Sequence, residues 1–415
     1  MHGPGKTQRM SGAPRREEDA RAATAQVSVR PPPDVKPGVM IGDKYRVERE
    51  IGRGGFGVVV RAIHLTLDQR VAIKVLTEGE GTTEAEWAED SARFRREAKA
   101  TAALRSEHVV RVLDVDVLDS GYPYIVMEYL DGKTLHELTY TSPQPLGYEE
   151  CVDYAIQVLA ALADAHSVGI VHRDLKPANV FLTKAIGGVP LVKVLDFGVS
   201  KVVAAASQRL TRTGAVVGTV AYMAPEQMLD AKRVDGRADL WSLAMVLYEA
   251  LARSHPFGTA AAGPKVVTSI LNEPIPPLRH FRPDVPPALE AVIMRLLEKA
   301  ADRRFSTAGE TAAALAPFAS VRSRSVLEEI RRAPPPSGPA APGFVSARGS
   351  SRAPSGTTKP RSPSRKRSSP IVGFLLAFVA AAIVLGLIAV VVFRVKPRSL
   401  PAPSAEPVTR PPSGL

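Results

Sequence analysis

A single cysteine, Cys151, in 415 residues excludes any internal disulfide framework. It stands in an apolar-periodic stretch and reads as a small buried residue. Acidic side chains are absent from residues 331–370, where nine Lys or Arg stand without one Asp or Glu. Large apolar side chains are sparse across residues 319–370, which are rich in Pro, Ser, Ala and Arg. Residues 1–44 contain no periodic apolar segment either. Neither stretch buries enough surface to offset chain entropy, so both are expected to be disordered. Between them remain roughly 270 residues, ample for a sizeable core.

The formal net charge of +12 and the pI near 9.8 invite a nucleic-acid reading. The distribution argues against one, because much of the excess lies in the 319–370 segment. That segment precedes an apolar run, so its cations suit anionic lipid headgroups or a plain positive-inside flank. No charge at all interrupts residues 371–393, IVGFLLAFVAAAIVLGLIAVVVF. As a helix this run would extend about 34 Å, enough for a hydrocarbon core of ~30 Å. A buried helix of that length would show a polar face, and its place in the chain rules out a cleaved signal peptide. One transmembrane helix is expected. Arg361, Arg365, Lys366 and Arg367 precede it, and Arg394, Lys396 and Arg398 follow, a modest bias for the N-terminal side inside. Residues 394–415 are proline-rich and aperiodic, so the expectation is a short external tail with no sensor domain.

Residues 45–53 alternate as a strand does, and Gly52, Gly54 and Gly57 follow in IGRGGFGVVV. The same spacing occurs in dinucleotide folds, where the glycines open a helix. Here three β-branched valines continue as strand, so the glycines mark a hairpin whose bare tip lets backbone N–H groups close over phosphates. The next apolar run, 70–76, carries Lys74, and a lysine there is costly unless paired. Its candidate partners are nucleotide phosphates and a carboxylate on the helix expected at 91–104. A GPGKT string at residues 3–7 lacks the first glycine and the preceding strand of a P-loop and is set aside.

Further along stand HRDLKPAN from His172, DFG from Asp196 and APE ending at Glu226. With the glycine string and VAIK ending at Lys74, these five motifs in this order resemble the eukaryotic-type serine/threonine protein kinases, most closely the membrane-tethered bacterial kind. The resemblance covers residues 45–318. It implies an α+β fold of two lobes, an antiparallel sheet with one helix and then a mainly helical lobe, followed by the single transmembrane helix. It also implies ATP and Mg²⁺ (or Mn²⁺) as cofactors. Asp174 would orient the substrate hydroxyl and accept its proton, with Lys176 reaching the γ-phosphate. Asn179 and Asp196 would supply oxygen ligands to the metal. Lys74 would meet the α/β-phosphates and pair with Glu97. Ile51, Gly52, Gly54, Gly57, Val59, Ala72 and Phe181 would line the nucleotide pocket. Met127 would be its gatekeeper, and the backbone at Glu128 and Leu130 would bond adenine.

DLKPAN and Thr219 match the serine/threonine pattern. The APE segment and the DLWS motif from Asp239 disfavour a small-molecule kinase, and retention of Lys74, Asp174 and Asp196 disfavours a pseudokinase. Glu226 should pair with Arg304. Thr211 and Thr213 stand where related kinases autophosphorylate, with Arg173 placed to receive the phosphate. The partners expected are protein substrates with Ser or Thr acceptors, membrane lipid, and a transient second copy for phosphorylation in trans, but no nucleic acid. The need for cytosolic ATP puts the kinase domain in the cytoplasm of a single-pass inner-membrane protein. The domain order expected is thus a disordered segment (1–44), the kinase domain (45–318), a basic linker (319–370), the helix (371–393) and an external tail (394–415).

Overall fold

Alternating apolar residues build the first half of the fold. β1 (Met40–Ile41), β2 (Tyr45–Gly54), β3 (Gly57–His64), β4 (Gln69–Leu76), β5 (Val112–Val117) and β6 (Pro123–Glu128) form a six-stranded antiparallel sheet ordered β1-β2-β3-β4-β6-β5. Register decides which face does what. Val58 lies opposite Val75 and Val60 opposite Ile73, and all four are at most 1 % exposed. Because side chains alternate along a strand, the intervening residues share the other face. There Val59 sits opposite Lys74, and Ala72 opposite Met127.

In this computed structural model the described residues are 30–54, 57–79, 81–185, 187–197, 220–230, 234–258 and 265–333. Thr211, Thr213, Thr219 and the apolar run 371–393 lie outside them. Among the described residues, no helix is long and apolar enough to cross a membrane.

α1 (Glu84–Ala102) begins seven residues before the expected start at Ser91. A reciprocal cap explains this. The Thr83 hydroxyl accepts from the Glu86 N–H at 3.3 Å, while the Glu86 carboxylate accepts from the Thr83 N–H at 2.9 Å. The helix is polar overall and buries only Trp87, Ser91, Phe94, Ala98 and Thr101, so periodicity alone underestimates its length.

The second half is helical: α2 (Leu135–Thr141), α3 (Tyr148–Ser167), α4 (Pro225–Leu229), α5 (Arg237–Ala252), α6 (Val266–Asn272), α7 (Pro287–Leu296), α8 (Ala308–Leu315) and α9 (Arg324–Arg332). A small sheet of β7 (Lys133–Thr134), β8 (Val180–Lys184) and β9 (Pro190–Val194) carries the segment ahead of Asp196. α3 and α5 pack together at the centre, and α5, mostly apolar, is buried on all sides from Ala238 to Leu251. Cys151 lies in α3 at 2 % exposure, where burial pushes its thiol up to about 12.

Both expected domain borders move outward. Ile41, assigned to a disordered 1–44, is fully buried beside Tyr45 in the sheet core. Arg30 pairs with Glu78 at 2.7 Å and Glu84 at 2.9 Å, with its guanidinium 5.3 Å from the Trp87 ring. A two-residue strand is too short to show a period, which is why the sequence conceals it. At the other end the fold continues past 318 into α9. Buried Asp153 of α3 accepts from Ser320 N–H (3.0 Å), Ser320 Oγ (2.6 Å) and Ser323 Oγ (2.6 Å). Ile330 is 5 % exposed, and Val326 and Leu327 pack beside it. Arginine and serine dominate the composition there and mask this short apolar stripe.

A chain ending at 319 should therefore be less stable than one ending at 333, by about 3 kcal/mol or more. That sum combines a buried carboxylate robbed of its donors with the uncovered Ile330 site. Urea unfolding of the two chains measures the difference, and equal midpoints would show that α9 adds nothing to the core.

Candidate active site

Two residues of the site hold backbone conformations that side chains disfavour. Arg173 has φ +63° and Asp196 φ +49°, each costing of the order of 1–3 kcal/mol. Such strain persists only where neighbours over-determine it. For Arg173 the neighbour is Asp239, fully buried in the first turn of α5. Its carboxylate accepts from the N–H of His172 and of Arg173, both at 2.8 Å, and from His166 Nε2 of α3 at 2.8 Å. Gly236 lets α3 come this close, since a Cβ there would sit 2.6 Å from His166 Nδ1.

His172 joins the loop to the strand that carries Asp196. Its Nδ1 accepts the Asp174 N–H at 3.2 Å, which leaves the proton on Nε2 to be donated to Leu195 O at 3.0 Å. The Phe197 ring, 1 % exposed, rests 4.7 Å from the imidazole. The Leu195 N–H donates to Asn179 O at 2.8 Å. Loop and strand are thus bonded to each other on both sides of Asp174.

Asp174 is 8 % exposed, and its Oδ2 accepts from Lys176 Nζ at 3.1 Å. Asn179 donates its amide to the Asp174 carbonyl at 2.9 Å, so its own amide oxygen is the atom left to bind a cation. With the Asp196 carboxylate it makes an all-oxygen donor pair, the kind a hard divalent ion takes. The residues fit Mg²⁺.

Lys74 reaches Asp196 at 2.7 Å, and this contact brings the sheet face against the loop. Burial disfavours the ammonium, yet the Asp196 charge and hydrogen bond outweigh it and hold Lys74 above its ordinary range. Burial likewise pushes Asp196 up, and Lys74 more than reverses that, leaving the carboxyl below its usual value. The partner expected on the helix, Glu97, is not the one bonded here. It lies in α1 and acts on Lys74 only through its charge at longer range. Which carboxylate meets Lys74 depends on how sheet, helix and loop come together, which no local pattern encodes.

The nucleotide-facing residues follow the sheet register. Ile51, 38 % exposed, Gly52 and Gly54 lie on β2, with Gly52 opposite Val59. Gly57 opens β3 with φ +153°, and a Cβ there would run into Val75 O. Ala72 and Met127 are cross-strand neighbours two residues along from Lys74. Glu128 closes β6, and its N–H donates to Arg111 O at 3.0 Å. Leu130 follows, half-buried, and half-buried Phe181 stands on β8 opposite Thr134.

Two buried groups escaped the sequence reading. Asp239 was visible only as part of a motif, although a carboxylate opening an apolar helix demands partners. Lys193, on the apolar strand β9, pairs with the Glu128 side chain at 2.8 Å and ties the end of β6 to the second lobe. Arg304, with no side-chain exposure, forks onto Glu226 at 2.7 and 2.9 Å and also donates to the carbonyls of Arg237, Glu298 and Lys299.

The protein kinase domain pattern matches residues 45–315. Serine/threonine-protein kinase Pkn1 of Myxococcus xanthus is 40 % identical over 294 residues, 71 % of this chain and 40 % of Pkn1. PknB of Mycolicibacterium smegmatis is 33 % identical over 371 residues, 88 % of this chain and 57 % of PknB. The chain thus spans about half the length of these curated relatives. The crystal structure of the Mycobacterium tuberculosis PknI kinase domain superposes with a TM-score of 0.53 at 28 % identity, covering 69 % of this chain and all of that one. Sheet, helical lobe, bonded catalytic loop and sequence pattern agree, and this chain belongs to the protein kinase domain family.

Proposed function

We propose that this protein is a serine/threonine protein kinase that transfers the γ-phosphoryl group of ATP to Ser or Thr hydroxyls of proteins. One observation carries the reading. Lys74, Asp174, Lys176, Asn179 and Asp196, drawn from both lobes, converge through the Lys74–Asp196 contact and the bonded loop. Asp174 orients the acceptor hydroxyl and takes its proton. Lys176, already beside it, offers positive charge to the transferred group. Lys74 holds the α/β-phosphates. Glu97 would receive Lys74 if Asp196 turned to the metal. Asn179 and Asp196 would hold Mg²⁺, which supplies charge neutralisation on the phosphates. Ile51, Gly52, Gly54, Gly57, Val59 and Ala72 cover the nucleotide, Met127 and Phe181 bound the adenine, and Glu128 and Leu130 bond its edge. The purified chain with ATP, Mg²⁺ and a basic protein should yield phosphoserine or phosphothreonine, and the Asp174→Asn chain should not. Equal product from both would overturn the reading.

Two finer features belong to the same proposal. The uncharged run 371–393 anchors the enzyme in the inner membrane with its kinase domain in the cytoplasm. Thr211 or Thr213 is phosphorylated by a second copy and thereby activates the enzyme. What supports the second is Arg173, which has no carboxylate partner among the described residues. Tethering at a membrane also raises local concentration enough for weak encounters to react. The full chain should sediment with membranes, while a chain ending at 333 stays in the supernatant. Mass spectrometry should find phosphate on Thr211 or Thr213 in the active enzyme and none in the Asp174→Asn chain.

A further inference from the structure

We propose that His108, Glu107 and Glu329 form a site for a divalent transition metal ion of the zinc class, fastening α9 to the loop between α1 and β5. The three residues offer one nitrogen and two carboxylate oxygens that all lie within 4.8 Å of one another. Tetrahedral zinc with bonds of about 2.1 Å spaces its ligands by roughly 3.4 Å, so the gap is a short turn of two exposed carboxylates.

His108 distinguishes this cluster from an ordinary patch of surface acids. It is 1 % exposed, and its Nδ1 faces Val192 O at 3.1 Å. A carbonyl can only accept, so the proton is on Nδ1 and Nε2 carries the lone pair. That Nε2 is buried, has no hydrogen-bond partner among the described residues and stands 3.9 Å from Glu107 Oε1. A carbonyl on one ring nitrogen with the other aimed at carboxylates is how proteins orient histidine toward a metal. Neutral imidazole facing carboxylates otherwise leaves lone pairs opposed to lone pairs.

The surroundings hold these groups in place. Asp164 Oδ2 accepts from Arg105 N–H at 2.6 Å and Ser106 N–H at 2.9 Å, and His108 O accepts from Val194 N–H at 2.7 Å. The loop is thereby fixed to both α3 and β9. Among the described residues, no Lys or Arg forms an ion pair with Glu107 or Glu329. A mixed nitrogen and oxygen donor set favours zinc-class ions over Mg²⁺, which keeps to oxygen and water. The fourth position is left for water.

The test uses the full chain stripped with EDTA, then titrated with Zn²⁺ by calorimetry in excess Mg²⁺. One Zn²⁺ should bind per chain and raise the melting temperature, and Co²⁺ should give a visible absorption band. Glu107→Gln and Glu329→Gln each change an exposed side chain, so folding survives them, whereas a His108 variant removes a buried ring. Each should weaken zinc binding at least tenfold and abolish the thermal shift. Unchanged zinc affinity in both variants would overturn the proposal. So would a wild-type chain that shows no zinc-dependent shift while Glu329→Gln melts higher without metal, since that is mere relief of repulsion.

Discussion

Asp174→Asn should lower phosphoryl transfer by about 10²–10⁴-fold, the usual worth of a positioned general base, while ATP binds with nearly unchanged affinity. The asparagine fills the same volume, and the loop around it is bonded through backbone atoms. His172 still accepts the residue-174 N–H, and Asn179 still donates to the residue-174 carbonyl. The groups facing the phosphates, Lys74 and Asp196, are bonded to each other and are untouched. What disappears is the carboxylate that receives the hydroxyl proton, together with the charge that holds Lys176 at 3.1 Å. The loss should therefore fall on kcat. Radiolabelled phosphate transfer measures it, with nucleotide affinity from calorimetry. Turnover within threefold of the parent enzyme would assign the base elsewhere.

The candidate site was legible because the chemistry proposed for it tolerates few substitutes. A proton acceptor, a phosphate cation and two oxygen ligands must be these residue types, and short motifs kept them in order. Strand register was nearly as open. The register of β3 and β4 puts Ala72 and Val59 on the face of Lys74, the two residues that the resemblance implies for the nucleotide pocket. Three other features were hidden for separate physical reasons. The partner of Lys74 depends on how sheet and loop meet, which no local pattern encodes. The start of α1 lay in the Thr83–Glu86 cap, a signal present in the letters but masked by so polar a helix. The outer borders rest on a two-residue strand and on serines that satisfy a distant buried Asp153. Such bonds join residues more than a hundred positions apart and leave no periodic trace.

Removing the Asp239 carboxylate should damage stability and catalysis together. Asp239→Ala takes the acceptor from two loop N–H groups and from His166, all within a fully buried pocket. Loss of one partner from such a buried network costs about 3–5 kcal/mol, and Arg173 is freed from its strained φ of +63°. Asp239→Asn should fall between, because its amide keeps one oxygen but turns a donor toward a donor. The effect carries a pH signature. Burial raises the Asp239 carboxyl, but the His166 hydrogen bond and charge and the Arg173 N–H outweigh it, so its folded value lies below the ordinary one. A depressed carboxyl contributes fully above its unfolded value, near pH 4, and its contribution fades as pH falls through the folded value. The stability gap between parent and Asp239→Asn should thus narrow as pH falls below about 4. Urea unfolding across that range tests the stability, and transfer assays at pH 7 test the loop. A gap under about 1 kcal/mol at pH 7, the worth of one ordinary hydrogen bond, or a normal kcat in the asparagine variant, would mean that α5 supports the catalytic loop by packing alone.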